Sequence, residues 1–230
     1  MRVVIFGATG MVGQGVLGEC LRDPGVTHVL AVGRRPTGVA HARLAELVRR
    51  DLFDWSDAEA VPTGYDACFF CLGVSAAGMR EADYTRTTYD LTLAAATALA
   101  SRNPEMTFIY VSGQGTDSST TGRAMWARVK GRTENALLRL PFRAAYMFRP
   151  GIIQPVGGVR PSNAVYRAFY AVVGPVMPLL RRLFPTQIVT TMEVGRAMLR
   201  VAREGYPRPV LERGDIAACA RTDPMPRPAE

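Results

Sequence analysis

Of the 28 basic residues in this 230-residue chain, 27 are arginine. The exception is Lys130, in Met125-Trp126-Ala127-Arg128-Val129-Lys130-Gly131. A guanidinium is a wide planar fork, whereas an ammonium is a compact point charge on a flexible stem, with three donors that can reach two hydroxyls at once. A chain that uses arginine almost everywhere and lysine once marks a position where the compact cation is needed, although one such position also fits chance. Near the amino terminus, Gly7-Ala8-Thr9-Gly10-Met11-Val12-Gly13 follows the apolar run Arg2–Phe6 directly. Three glycines at this spacing allow a tight turn and a close backbone approach. A helix that starts there offers free N–H groups and the positive end of its dipole to a pyrophosphate. Gly7, Thr9, Gly10, Met11, Val12 and Gly13 are therefore the candidate dinucleotide cradle.

Further residues of this kind stand where later apolar runs end. Gly33-Arg34-Arg35 follows Val26–Val32, where a site for NAD usually places a carboxylate for the ribose 2′-hydroxyl. Two guanidiniums suit a 2′-phosphate instead, so Arg34 and Arg35 point to NADP; the alternative is that one or both are solvated surface. Asp51-Leu52 is placed to flank the adenine, and Cys71-Leu72-Gly73 to run along the pyrophosphate and ribose. Ser112 ends the run Met106–Val111, and Arg149-Pro150-Gly151-Ile152 ends the run Phe142–Phe148.

These residues need a scaffold that brings run-ends to one edge. The apolar runs at 2–6, 26–32, within 43–50, 67–72, 106–111 and 142–148 read as strands. Helical spacing recurs after the glycine turn, from 82 to 101 and from 124 to 140. Strands that alternate with helices imply a parallel sheet covered on both faces, a doubly wound α/β fold of Rossmann type. Its ligands bind at the carboxyl ends of the strands. Residues 1–220 read as one domain, with the part after about 151 shaping the substrate side, a late helix at 192–204 and a proline-rich tail at 221–230.

With the glycine pattern, Ser112 and Lys130 resemble the short-chain dehydrogenase/reductase superfamily. GATGMVG, CLG, VSG, VKG and RPG resemble its atypical, extended-like branch, which holds the NAD(P)-binding epimerase/dehydratase-like proteins and the Tat-interacting-protein type. The likeness is specific over about residues 1–155. It implies a serine that orients a substrate carbonyl, a tyrosine acid/base four residues before the lysine, and a lysine that holds the nicotinamide ribose and lowers the tyrosine pKa. It also implies that Pro150, Gly151 and Ile152 pass the nicotinamide carboxamide. Ser112 and Lys130 match their places, but Trp126 stands where the tyrosine belongs. An indole N–H donates a hydrogen bond and does not ionise in the useful range. Three readings stay open: binding of NADP without turnover, a proton from Tyr84, Tyr89, Tyr110 or Asp117, or polarisation with water. A carbonyl or alcohol oxidoreductase is the first expectation, a non-catalytic cofactor-binding sensor the second, and a nucleotide-sugar epimerase or dehydratase the third.

The remaining composition bounds partners. Net charge is +8, and residues 160–213 carry nine arginines against three glutamates. Without aromatic-basic interleaving this is no nucleic-acid surface. It fits a solvated face, an anionic ligand or an anionic membrane surface. The apolar but proline-broken run 164–180, beside Arg181 and Arg182, suggests a small-molecule substrate with an apolar body and an anionic end, or peripheral membrane contact. Cys68 and Cys71 have CxxC spacing, but on a strand an offset of three points side chains to opposite faces, so no metal is expected. With a strand starting at Arg2 and no leader in view, the chain reads as reduced and cytoplasmic.

Overall fold

The computed structural model describes residues 1–159 and 187–221. The expected apolar substrate segment at 164–180 and all but the first residue of the tail at 221–230 lie outside the described residues. Seven parallel strands form one sheet: β1 (Arg2–Phe6), β2 (His28–Gly33), β3 (Leu44–Val48), β4 (Ala67–Phe70), β5 (Thr107–Val111), β6 (Ala144–Arg149) and, late in the chain, β9 (Val210–Glu212). Their spatial order is β3-β2-β1-β4-β5-β6-β9. The strand order reverses beside β1, which pairs with β2 on one side and β4 on the other. That reversal opens a crevice at the carboxyl ends of β1 and β4, where ligands of open α/β sheets bind. Two short strands, β7 (Ile152–Gln154) and β8 (Ile188–Thr190), pair with each other.

Alternation along the strands builds two cores. Val3, Ile5, Phe69, Ile109 and Phe148 point to one face. Val4, Phe6, Phe70, Phe108 and Met147 point to the other. Helices α1 (Met11–Arg22), α5 (Thr191–Glu204) and α6 (Arg213–Ala220) cover the first face. Helices α3 (Leu91–Arg102) and α4 (Met125–Leu137) cover the second. Cys68 packs in one core and Cys71 against the other, as an offset of three on a strand requires.

Where a single helix is expected over 82–101, the chain forms three pieces: α2 (Glu81–Thr85), a π-helical turn (Arg86–Asp90) and α3. Thr85-Arg86-Thr87-Thr88 places three β-branched side chains there, a weak stretch for an α-helix. The Thr87 hydroxyl also donates to the carbonyls of Asp83 and Tyr84, competing with the regular ladder. Helix α5 starts cleanly because Thr190 and Glu193 form a capping box, with hydrogen bonds of 3.1 and 2.7 Å.

Candidate cofactor and active site

The glycine turn has the shape its spacing predicts. Gly7 holds φ +79°, a region that favours glycine, and a Cβ there would lie 2.7 Å from the Leu72 backbone. The Gly10 N–H donates to the Gly7 carbonyl at 2.9 Å, which closes the turn, and Gly10 is the N-cap of α1. A Cβ on Gly13 would strike the Gly7 carbonyl oxygen, so helix and turn touch through bare backbone. No acidic residue stands in the first turn of α1. The helix therefore presents an unopposed positive end at the sheet's crevice, as a pyrophosphate requires. Met11 begins α1, and the Val12 side chain packs onto the core beneath it. Cys71-Leu72 lies directly against Gly7, and the Cys71 N–H donates to the Phe6 carbonyl at 2.9 Å. Among the described residues nothing stands within 4 Å of where a Gly73 side chain would be.

Beside this turn is a cleft of about 460 Å³, lined by Thr9, Gln14, Arg35, Thr37, Gly157 and Gly158 among others. Arg34 and Arg35 are exposed, and neither makes a hydrogen bond or ion pair among the described residues. Arg35 lines the cleft and Arg34 precedes it in the chain, just past the end of β2; exposed guanidiniums there suit a phosphate. Asp51 and Leu52 are placed differently from one another. The Asp51 carboxylate accepts from the Phe53 N–H at 2.7 Å, and the Leu52 side chain is buried in the core. Gly157 and Gly158, both in the left-handed region, line the cleft with no signal in the sequence beyond their pairing.

The far end of the crevice is built by β5, α4 and β6. Lys130 is half-buried, and its Nζ donates to the Ser112 carbonyl. Burial pulls its pKa down to about 8, against a smaller upward pull from Glu134. Ser112 is buried, and its hydroxyl donates to Glu134 Oε1 at 2.5 Å, within reach also of the Phe148 carbonyl at 3.1 Å. The hydroxyl is thus engaged inside the protein, and what Ser112 offers toward Lys130 is its main-chain oxygen. Gly113, at φ +133°, is the next residue: a Cβ there would lie 3.8 Å from Lys130 Nζ.

Trp126 stands over Gly115, where a Cβ would be 3.3 Å from the indole. The other acid/base candidates are placed for other work. Tyr110 and Tyr84 are fully buried, and burial pushes the Tyr110 phenol well up. The Asp117 carboxylate accepts from Ser119 Oγ and from the Ser119 and Gly122 N–H groups, which hold it below the usual carboxylate range. Tyr89 is half-buried in the π turn.

Glu134, and the pairing of Arg149 with it, escape sequence reading. Glu134 is buried and paired with Arg149, whose Nε donates to Oε1 at 3.0 Å and whose Nη2 bonds Oε2. Arg149 also reaches Ser118 Oγ at 2.5 Å and Glu212 at 3.2 Å. The four-residue offset from Lys130 to Glu134 was the available signal for this group. Pro150 accepts from the Gln114 N–H at 2.9 Å, and a Cβ on Gly151 would lie 2.8 Å from the Gln187 carbonyl. Ile152 leaves its side chain exposed at this edge.

A parallel sheet with a switch-point crevice, a bare glycine turn and a lysine at its far end defines a dinucleotide-binding α/β protein. Residues 3–123 match the model of the NAD dependent epimerase/dehydratase family, and the chain belongs to that family. Protein fmp52, mitochondrial, of Emericella nidulans is 29% identical over 187 residues, 78% of each chain. Protein FMP52, mitochondrial, of Eremothecium gossypii is 32% identical over 155 residues, 66% of each chain. The Bordetella bronchiseptica enzyme WbmF, solved in complex with NAD+, superposes with a TM-score of 0.66 at 14% identity, covering 95% of this chain and 76% of its own. That likeness shows the shared fold. The expected cytoplasmic location is overturned by the FMP52 relatives, whose names are mitochondrial.

Proposed function

We propose that the protein is an NADP-dependent oxidoreductase acting on a carbonyl or alcohol. The observation that carries the cofactor choice is the pair Arg34 and Arg35, unengaged among the described residues at the end of β2, with Arg35 and Thr9 lining the cleft. Gly7, Gly10 and Gly13, with the N–H groups of Met11 and Val12, hold the pyrophosphate. Arg34 and Arg35 hold the 2′-phosphate, and Cys71, Leu72 and Gly73 lie along the ribose. Lys130 lies on the nicotinamide ribose, with the Ser112 carbonyl accepting one N–H of its ammonium. Pro150, Gly151 and Ile152 flank the carboxamide. When bound, the cofactor supplies or accepts a hydride. The substrate side belongs to the chain after Ile152, and its sequence supports a small molecule with an apolar body and an anionic end.

A second reading, binding without turnover, is favoured by Trp126 and by the internal engagement of the Ser112 hydroxyl. The two are separated by following NADPH absorbance with a panel of aldehydes, ketones and quinones. Measurable oxidation in the parent supports the oxidoreductase. A silent parent, together with a Trp126→Tyr variant that turns over, supports the binding protein.

A further inference from the structure

A carbonyl reduction needs a proton as well as a hydride, and the usual donor is missing. The described residues narrow the choice. Tyr84 and Tyr110 are sealed in the core, the Ser112 hydroxyl faces Glu134, and the Asp117 carboxylate anchors its own loop. Trp126 has no exchangeable acid in the useful range. Tyr89 is half-buried in the π turn, whereas Lys130 holds its amine beside Gly113, where the described residues leave space. Among the described residues, a carbon atom set on Gly113 would have Lys130 Nζ, at 3.8 Å, as its one neighbour within 4 Å beyond the adjoining backbone. A substrate oxygen entering above Gly113 therefore meets the ammonium directly, where a side chain on residue 113 would otherwise stand.

We propose that Lys130 itself hands the proton to the substrate oxygen, with Glu134 as the positioning residue that keeps the amine charged. The inference rests on the oxidoreductase reading. In the reductive direction a hydride, which the bound cofactor would supply, would add to the carbonyl carbon. The carbonyl π electrons move onto oxygen, and an N–H bond of the ammonium breaks as the O–H bond of the alcohol forms. Lys130 is left as a neutral amine, which water reprotonates. An arginine cannot do this, because it stays protonated in proteins. That requirement also fits lysine, rather than arginine, at this position.

The surroundings of the amine suit that task. On its own helix Glu134 lies one turn on, clamped by Arg149 from β6, and Arg149 in turn reaches Glu212 at the start of α6. From α2, Glu81 is engaged by Arg128 and Arg132, and Tyr84 is buried. From β5 come Tyr110, buried, and the Ser112 carbonyl. Asp117 meets α4 through its main chain, where a Cβ on Gly131 would strike its carbonyl. Burial and Glu134 pull the amine in opposite directions and leave it at about 8, a useful value for a group that must both give and regain a proton near neutrality.

The single lysine makes the test direct. The rate of acetylation by acetic anhydride is followed against pH on the peptide that holds Lys130, with and without NADPH, which separates it from the N-terminal amine. The expected midpoint without cofactor is near 8. Glu134→Gln should move it to lower pH. The basic limb of the NADPH-dependent reduction rate should follow the midpoint measured with NADPH bound. Lys130→Arg, assayed at saturating NADPH, should lose about 10²-fold or more in turnover.

A labelling midpoint at the ordinary lysine value overturns the proposal without any activity measurement. So does a basic limb that persists in Lys130→Arg, even in an enzyme that turns over well. If Glu134→Gln does not fold, the parent midpoint and Lys130→Arg still decide. A parent that reduces no carbonyl removes the oxidoreductase reading itself, an outcome distinct from an active enzyme whose limb ignores Lys130.

Discussion

The two ends of the crevice are built on opposite principles. At the β1–α1 end the binding groups are left free: a helix N-terminus without an acid in its first turn, bare glycine backbone, and two arginines without partners among the described residues. At the β5–α4 end nearly every polar group is already engaged: the Ser112 hydroxyl with Glu134, Glu134 with Arg149, Arg149 with Ser118 and Glu212, and the Lys130 amine with the Ser112 carbonyl. The first end is prepared to take a ligand's charge. The second is a rigid frame that presents one amine. On the reading proposed above, binding capacity and proton chemistry fall to separate parts of the same sheet.

The largest expected effect comes from breaking the rigid end. Arg149→Met would leave Glu134 buried without its cation, a change that costs about 3–5 kcal/mol when one partner of a buried pair is removed. Urea unfolding should show that loss. A cost below about 1 kcal/mol would mean that the pair is not the frame described here.

Breaking the open end should cost less stability but more binding. Gly13→Ala forces a methyl onto the Gly7 carbonyl. Overpacking of this kind costs about 1–3 kcal/mol, and it deforms the turn a pyrophosphate must approach. Cofactor affinity by calorimetry should fall sharply, whereas Gly33→Ala, with its nearest neighbour at 3.7 Å, should bind as the parent does.

A smaller effect tests the charge at Lys130 in the cofactor-free protein. Its folded pKa, about 8, lies below the ordinary lysine value of 10.5. Between those two values the unfolded chain binds more protons than the folded one, so stability rises with pH across that window and is lowest below it. Lys130→Met removes the penalty. It should be more stable than the parent at pH 7, by at most about 3 kcal/mol, with the gap closing as pH rises toward 10.5. Thermal melts at several pH values read this, and a gap that stays constant would contradict the buried ammonium.

Much of the open end was legible in the sequence because it is local. The turn and the helix start occupy one stretch of chain, and three glycines at that spacing have a narrow set of uses. The doubly wound sheet was legible for the same reason, through alternation of apolar runs. The rigid end was less so. Ser112 was correctly placed at a strand end, but the direction of its hydroxyl depends on Glu134 and Arg149, which come from two other elements. The break at Arg86–Asp90 was hidden because residues 82–101 keep a helical apolar pattern across the π turn. The role of Gly157 and Gly158 in the cleft was unreadable, since it depends on how β7 pairs with β8.

The most direct test of the open end is a pair of calorimetric titrations, NADP+ and NAD+ into the parent protein. Charge-assisted hydrogen bonds from Arg34 and Arg35 to a 2′-phosphate predict tighter binding of NADP+ by about 1.5–3 kcal/mol, and Arg34→Ala with Arg35→Ala should erase most of the difference. Equal affinities for the two cofactors in the parent would contradict the assignment.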